Sequence, residues 1–178
     1  VDRAAGPSFG VPSVGVHLIA FTREAPAEGA VDGVMRVWVA QRAAGKSKWP
    51  LLLDPTVAGG HAHPLSLAES VAKEAAEEAA VDATLMSKAV YAGVVGMSTC
   101  DDYTDPEDEE VNNINLGGAG EADGVGGAAL RHAECHVWDL EVPGDWRPSA
   151  ADGEVGAFLL WRGDQLLQAL RVCTVCRP

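Results

Sequence analysis

Glu74, Glu77 and Glu78 stand at i, i+3 and i+4 within Lys73-Glu-Ala-Ala-Glu-Glu78. At about 100° per residue this spacing predicts three carboxylates on one face of a helix, with Ala68, Ala72, Ala75 and Ala79 as an apolar stripe on the other side. Like charges at these spacings repel, so the arrangement lowers helix stability, and Lys73, four residues before Glu77, offsets part of that. Three convergent carboxylates suit a hard divalent cation. Mg²⁺, or Mn²⁺ in its place, takes oxygen ligands and shares its shell between protein carboxylates and substrate phosphates, where it neutralises diphosphate charge and activates a water. Other side chains of a useful type lie elsewhere. Glu154, in Asp-Gly-Glu-Val, is a candidate general base or extra ligand. Lys46 and Lys48 are candidate phosphate clamps. Trp49 has the flat face to stack on a heterocycle, against the plainer expectation that it packs in the core. His61 and His63 read as solvated loop histidines.

The glutamates need a helix to carry them, and residues 66–80 have its marks. Ser66 and Glu69 stand at the spacing of a capping box, and the interior is rich in Ala and Glu. Before it, residues 14–22 and 34–42 read as strands, the second with period-2 alternation, paired as an antiparallel hairpin with a long loop. A basic connection, residues 43–49, leads to a third extended segment over 51–60 that ends in Gly59-Gly60. After it come β-rich runs at 89–99, 133–140 and 158–161 and a final helix over 164–171. Strands on both sides of one strong helix argue for an α/β or α+β fold with a mixed sheet.

Val57-Ala-Gly-Gly60, Ser66, Glu69 and Lys73 to Val81 together resemble the Nudix box, G-x5-E-x7-R-E-U-x-E-E-x-G-U with U aliphatic. Gly59 matches its first Gly, Glu74, Glu77 and Glu78 its acidic core, and Val81 its last aliphatic position. Leu65 replaces the first Glu, Lys73 the Arg, and Ala80 the second Gly. Gly15-Val-His17, Val37 to Arg42, Lys48-Trp-Pro50, Leu53-Asp54, Trp138 to Pro143 and Asp152-Gly-Glu-Val155 extend the resemblance to the Nudix subfamily related to the thiamine pyrophosphokinase-linked proteins of fungi and plants. The resemblance implies an α/β/α sandwich with a mixed sheet over residues 14–171. It also implies Mg²⁺ on Glu74, Glu77 and Glu78, with Glu77, Glu78 and Glu154 doing the chemistry. Substrate would be bound by Lys46, Lys48, Trp49, Gly59 and Gly60. The implied activity is hydrolysis of a small organic diphosphate, thiamine diphosphate or its damaged analogues first and a nucleoside diphosphate derivative second. Leu65 removes a carboxylate that would orient the helix's basic residue, and Ala80 predicts a different turn after the helix, because Ala is disfavoured at positive φ. These departures motivate the alternative of a silent, Nudix-fold diphosphate-binding module. An isopentenyl-diphosphate isomerase, a relative in fold, needs a Cys that residues 14–99 lack.

Composition bounds the rest. The 178 residues fit one domain, and no apolar stretch approaches a membrane span. Net charge is −13, from 13 Lys+Arg against 26 Asp+Glu, and nine of the acids fall between Cys100 and Leu130 with no Lys or Arg among them. No basic stripe exists to neutralise a nucleic-acid duplex, so a small-molecule partner is expected. Residues 1–13 read as disordered, residues 101–129 as an acidic, Gly-rich insertion whose glycine runs lack the strand-to-helix context of a phosphate loop, and residues 172–178 as an atypical tail that stops short of a further helix carried by the subfamily. Cys173 and Cys176 form a C-x-x-C without a second pair, which argues against structural zinc. Sparse cysteines suit a reducing intracellular compartment, cytoplasm or plastid. The chain begins at Val1 without an initiator Met or a secretory pattern, as a fragment or a processed chain would.

Overall fold

The computed structural model describes residues 10–24, 33–47, 49–101, 129–150 and 153–171. The expectations for residues 1–9, for the acidic segment 102–128 and for the tail 172–178 with its C-x-x-C lie outside the described residues. The chain divides into two compact units, one of Val14–Val95 with Cys135–Pro178, the other of Val1–Ser13 with Gly96–Glu134. The described strands are β1 (Ser13–Arg23), β2 (Met35–Arg42), β3 (Leu53–Asp54), β4 (Val57–Gly60), β5 (Val90–Asp101), β6 (Ala129–Glu141) and β7 (Val155–Arg162). The described helices are α1 (Leu67–Ala79), α2 (Ala83–Met86) and α3 (Gly163–Arg171). The strands run in the order β3-β2-β1-β6-β5, with β4 also on β1 and β7 also on β2. The expected α/β fold around a single sheet is thus the one that forms.

Alternation along β1 buries Val16, Leu18 and Ala20 completely. Its antiparallel pairing with β2 is confined to Phe21↔Val37, Thr22↔Arg36 and Arg23↔Met35. Further back along the chain β1 takes β4 instead, from Gly15↔Gly60 to Leu18↔Val57. The stretch 51–60, expected as one extended segment, is therefore two short strands, with β3 on β2 through Ala40↔Asp54 and Gln41↔Leu53. Thr56 lies between them, fully buried. Its hydroxyl fills the gap where β1 and β2 part, accepting from the Ala20 N–H at 2.9 Å and donating to the Trp38 carbonyl at 2.6 Å. One side chain thus satisfies a donor and an acceptor that the parting strands no longer give each other. Opposite these partners, β2 pairs with β7 from Arg36↔Arg162 to Arg42↔Val155.

Helix α1 begins as the sequence predicts. Ser66 accepts from the Glu69 N–H, and Glu69 accepts from the Ser66 N–H, completing the capping box. The backbone and hydroxyl of Ser66 hold the Glu69 carboxyl below its usual range. The buried face, however, is Ser70, Val71, Ala75, Glu78 and Ala79, whereas Ala68 is exposed. Val71, Ala75 and Ala79 join Val16, Leu18, Ala20, Trp38 and Val57 in the core, small residues that bring the helix close to the sheet.

The end of α1 corrects an expectation. Ala80 forces no different turn; it adopts the left-handed conformation itself, at φ 54 and ψ 38. The N–H groups of Ala80 and Val81 both donate to the Ala75 carbonyl, and Val81 is buried behind them. Those bonds and that burial outweigh the Cβ penalty. Asp82 then caps α2, an unexpected element, by accepting from the Leu85 N–H at 2.8 Å. At the other end of the strand order, β5 shows solvent Val90, Tyr91, Val94 and Val95, each at least half exposed.

Replacing Ala80 by Gly relieves the left-handed strain, roughly 1 kcal/mol, and is expected to raise the melting temperature by about 2–4 °C. A thermal melt in which A80G unfolds earlier than the parent contradicts this account of the cap.

Candidate functional site

The three glutamates of α1 do not share one face. Glu74 and Glu78, four residues apart, turn inward beside Ala75, whereas Glu77 turns outward. Glu78 is only 6% exposed, and its Oε2 accepts from the Ala58 N–H at 2.9 Å. That amide lies on the side of β4 turned away from β1, so the carboxylate closes an otherwise open strand edge. Glu74 lies flat against Gly59. A Cβ built at Gly59 stands 2.6 Å from Glu74 Oε2, closer than real contacts allow. The first glycine of the motif thus has a steric role here, which is to make room for the first glutamate. Gly60 pairs with Gly15 across β4 and β1.

Glu77 meets Lys73 at 2.6 Å, and Lys73 also lies 3.4 Å from Glu74 Oε1. The hydrogen bond that Lys73 donates to Glu77 is the main cause that raises the Lys73 pKa. The basic residue of the helix is therefore oriented by its own helix neighbours, and the carboxylate missing at Leu65 is not needed for that. Among the described residues no group of three His, Cys, Asp or Glu side chains is gathered closely enough to hold an ion. The donor chemistry nonetheless fits Mg²⁺, since Glu74 and Glu78 face the same strand and offer only carboxylate oxygens.

Beside Glu78 is a recess of about 20 Å³, room for a water-sized species, lined among others by Arg42, Lys46, Asp54 and Glu154. Lys46 and Glu154, both expected site residues, form an ion pair at 2.6 Å. The Ala43 N–H donates to the Glu154 carbonyl at 2.9 Å and joins their two loops. Arg42 and Asp54, given no role from sequence, pair at 2.7 Å in the same recess. The available signal was a cation four residues before Lys46 and a carboxylate at the end of the short strand that pairs with β2. His17, across β1 from Ala58, has its pKa pushed down by burial, with Asp54 opposing that shift.

Trp49 corrects the expectation of core packing. It is 50% exposed with φ 55, and Leu51 is 58% exposed with φ 63. Left-handed backbone on both sides of Pro50 accompanies this outward display. Lys48 lies outside the described residues. His61 is held on α1, its Nδ1 2.9 Å from Ser70 Oγ and its N–H donating to the Val14 carbonyl, while His63 is exposed.

No protein-family model matches the chain. It is 29% identical over 171 residues to Nudix hydrolase 24, chloroplastic, of Arabidopsis thaliana, covering 96% of this chain and 38% of that protein. It is also 29% identical over 160 residues to Nudix hydrolase 20, chloroplastic, of the same plant, covering 90% of this chain and 34% of that protein. The chain thus spans little more than a third of the length of these curated relatives. The Nudix domain of Shewanella oneidensis NrtR, complexed with ADP ribose, aligns at a TM-score of 0.53 and 14% identity over 94% of this chain and 88% of that one. The E. coli dihydroneopterin triphosphate pyrophosphohydrolase aligns at 0.52 and 14% identity over 88% and 84%. The structural likenesses show the fold, and together with the sequence relatives they support the Nudix hydrolase superfamily.

Two outcomes check this geometry. G59A drives a methyl group into Glu74 and is expected to cost roughly 1–3 kcal/mol in urea unfolding, most of which returns in the G59A/E74A double variant; absence of that recovery refutes the contact. For His17, a folded pKa below the ordinary 6.5 means that the unfolded chain takes up the proton first as pH falls. Stability is then full above about pH 6.5 and declines below it. H17Q is expected to flatten that part of the decline, and an unaltered pH profile of the melting temperature contradicts the assignment.

Proposed function

We propose that the chain is a Mg²⁺-dependent Nudix hydrolase, able to use Mn²⁺, that splits the anhydride of a small organic diphosphate. Thiamine diphosphate or a damaged analogue is the first substrate class and a nucleoside diphosphate derivative such as ADP-ribose the second. One observation carries the reading: Glu78, seated on the Ala58 amide one helical turn from the inward Glu74, lines a recess with both Arg42 and Lys46. Carboxylates for a cation and basic groups for phosphate oxygens are the two things that diphosphate hydrolysis needs in one place. The hydrolase names of the relatives and the diphosphate-bearing ligand of the NrtR domain support it.

In this reading Glu74, Glu77 and Glu78 would hold the cation, which would offset the charge of the diphosphate and make water easier to deprotonate. Lys46 and Arg42, with Lys48, bind phosphate oxygens, while Gly59, next to Gly60 on β4, gives Glu74 its seat against the strand. Water attacks one phosphorus and the bridging P–O bond breaks; the products are the organic monophosphate and phosphate, or two organic monophosphates where both phosphates are esterified, as in ADP-ribose. Glu154, held at Lys46, takes the proton of the attacking water. The chloroplastic names of the two Arabidopsis relatives favour a plastid over the cytoplasm. A second reading, binding without turnover, draws support from Lys73, whose ammonium pairs with Glu77 and Glu74 and so competes with a cation for two of the three carboxylates.

Release of phosphate or of an organic monophosphate from a diphosphate panel with Mg²⁺ separates these readings. Turnover by the parent, with E77Q and E78Q each roughly 10²–10³-fold slower, is expected of the hydrolase. E78Q keeps an acceptor for the Ala58 N–H and so stays folded. Equal release by parent and both variants defeats the hydrolase reading, and diphosphate binding without release establishes the second.

A further inference from the structure

The hairpin from Arg42 to Leu52 carries more than phosphate-binding groups. Trp49 and Leu51 both adopt left-handed backbone, at φ 55 and φ 63, a conformation that large side chains rarely take because Cβ crowds the carbonyl. Ordinarily such strain is repaid by burial, yet these side chains are 50% and 58% exposed. The strain is fixed by the hairpin's own bonds. The Arg42 N–H donates to the Leu52 carbonyl at 2.9 Å, the Leu51 N–H to the Arg42 carbonyl at 3.2 Å, and the Leu52 N–H to the Trp49 carbonyl at 3.4 Å. Gln41 Nε2 donates to the Leu51 carbonyl at 3.1 Å. Strained, well-tied residues that gain little from the fold are the kind retained for binding. The same backbone bonds set Leu51 and Leu52 together opposite Arg42, which lines the recess with Lys46.

We propose that Trp49 and Leu51 are held outward by left-handed backbone in order to grip a planar ring attached to the diphosphate, so that one hairpin reads both halves of the substrate. Phosphate oxygens meet Arg42 and Lys46, the ring meets Trp49 and Leu51, and diphosphates without a ring are discriminated against. The inference rests on the diphosphate site proposed above and adds to it Leu51 and the use of the strain.

The strain supplies a test that an idle exposed loop does not share. Glycine is at ease at φ near +60°, so L51G and W49G should each raise the melting temperature, by about 2–4 °C, while weakening ring binding. Dissociation constants are measured for thiamine diphosphate, ADP-ribose and methyl diphosphate on an E77Q background, where turnover is suppressed. At least one ring-bearing ligand should bind about tenfold more tightly than methyl diphosphate, as stacking on an aromatic face provides. That advantage should shrink towards unity in W49G and L51G and persist in W49F, with methyl diphosphate affinity unchanged throughout. A fall in melting temperature, ring-bearing ligands that bind no better than methyl diphosphate, or an advantage that survives in the W49G/L51G double variant overturns the proposal. If the parent cleaves none of the three diphosphates but the ring advantage appears and is lost as described, the hydrolase reading fails and this one stands.

Discussion

The bond from the Ala58 amide to the Glu78 carboxylate is the constraint on which the site depends. A strand edge that faces a helix leaves N–H groups without water, and each must find an acceptor. Here the acceptor comes from the helix itself, and reaching it requires α1 to run very close to β4. Ala75 and Ala79 permit that approach on the core side, and Gly59 permits it on the strand side by leaving space for Glu74. A nearly buried carboxylate is costly unless it is hydrogen-bonded and electrostatically balanced. The same bond that docks the helix therefore fixes negative charge at the rim of a recess that also holds Arg42 and Lys46.

Much of this was legible in the sequence, for identifiable reasons. The capping box of Ser66 and Glu69 and the run of helix formers set α1 nearly to the residue, because those signals are local. The hydrophobic alternation of β1 and β2 likewise gave a hairpin. What local pattern cannot express is that β1 exchanges β2 for β4 partway along. That change hangs on Thr56, whose hydroxyl serves Ala20 and Trp38, residues 36 and 18 positions away. A threonine between Pro55 and Val57 looks like any other turn residue until its partners are known.

The site was legible in type more than in arrangement. Helical spacing alone put Glu74, Glu77 and Glu78 together, yet a 100° step separates the outward Glu77 from the inward Glu78, and Lys73 reaches both Glu77 and Glu74. Arg42 and Asp54 escaped notice because their pairing joins the ends of two strands that no periodicity connects. For Trp49, core packing was weighed against stacking on a heterocycle; its left-handed backbone, which composition does not reveal, goes with a half-exposed side chain.

The bare flank of β5 bears on how the protein behaves in concentrated solution. Residues 90–95 combine four well-exposed large apolar side chains with no charge and no proline, and among the described residues their strand has a single neighbour in the strand order. Such borders are adhesive, and proteins commonly guard them with lysines or prolines. This chain has instead a global safeguard, a net charge of −13 that makes its copies repel one another. Colloidal stability therefore depends on ionic strength: added salt shortens the reach of that repulsion and leaves the sticky border unshielded.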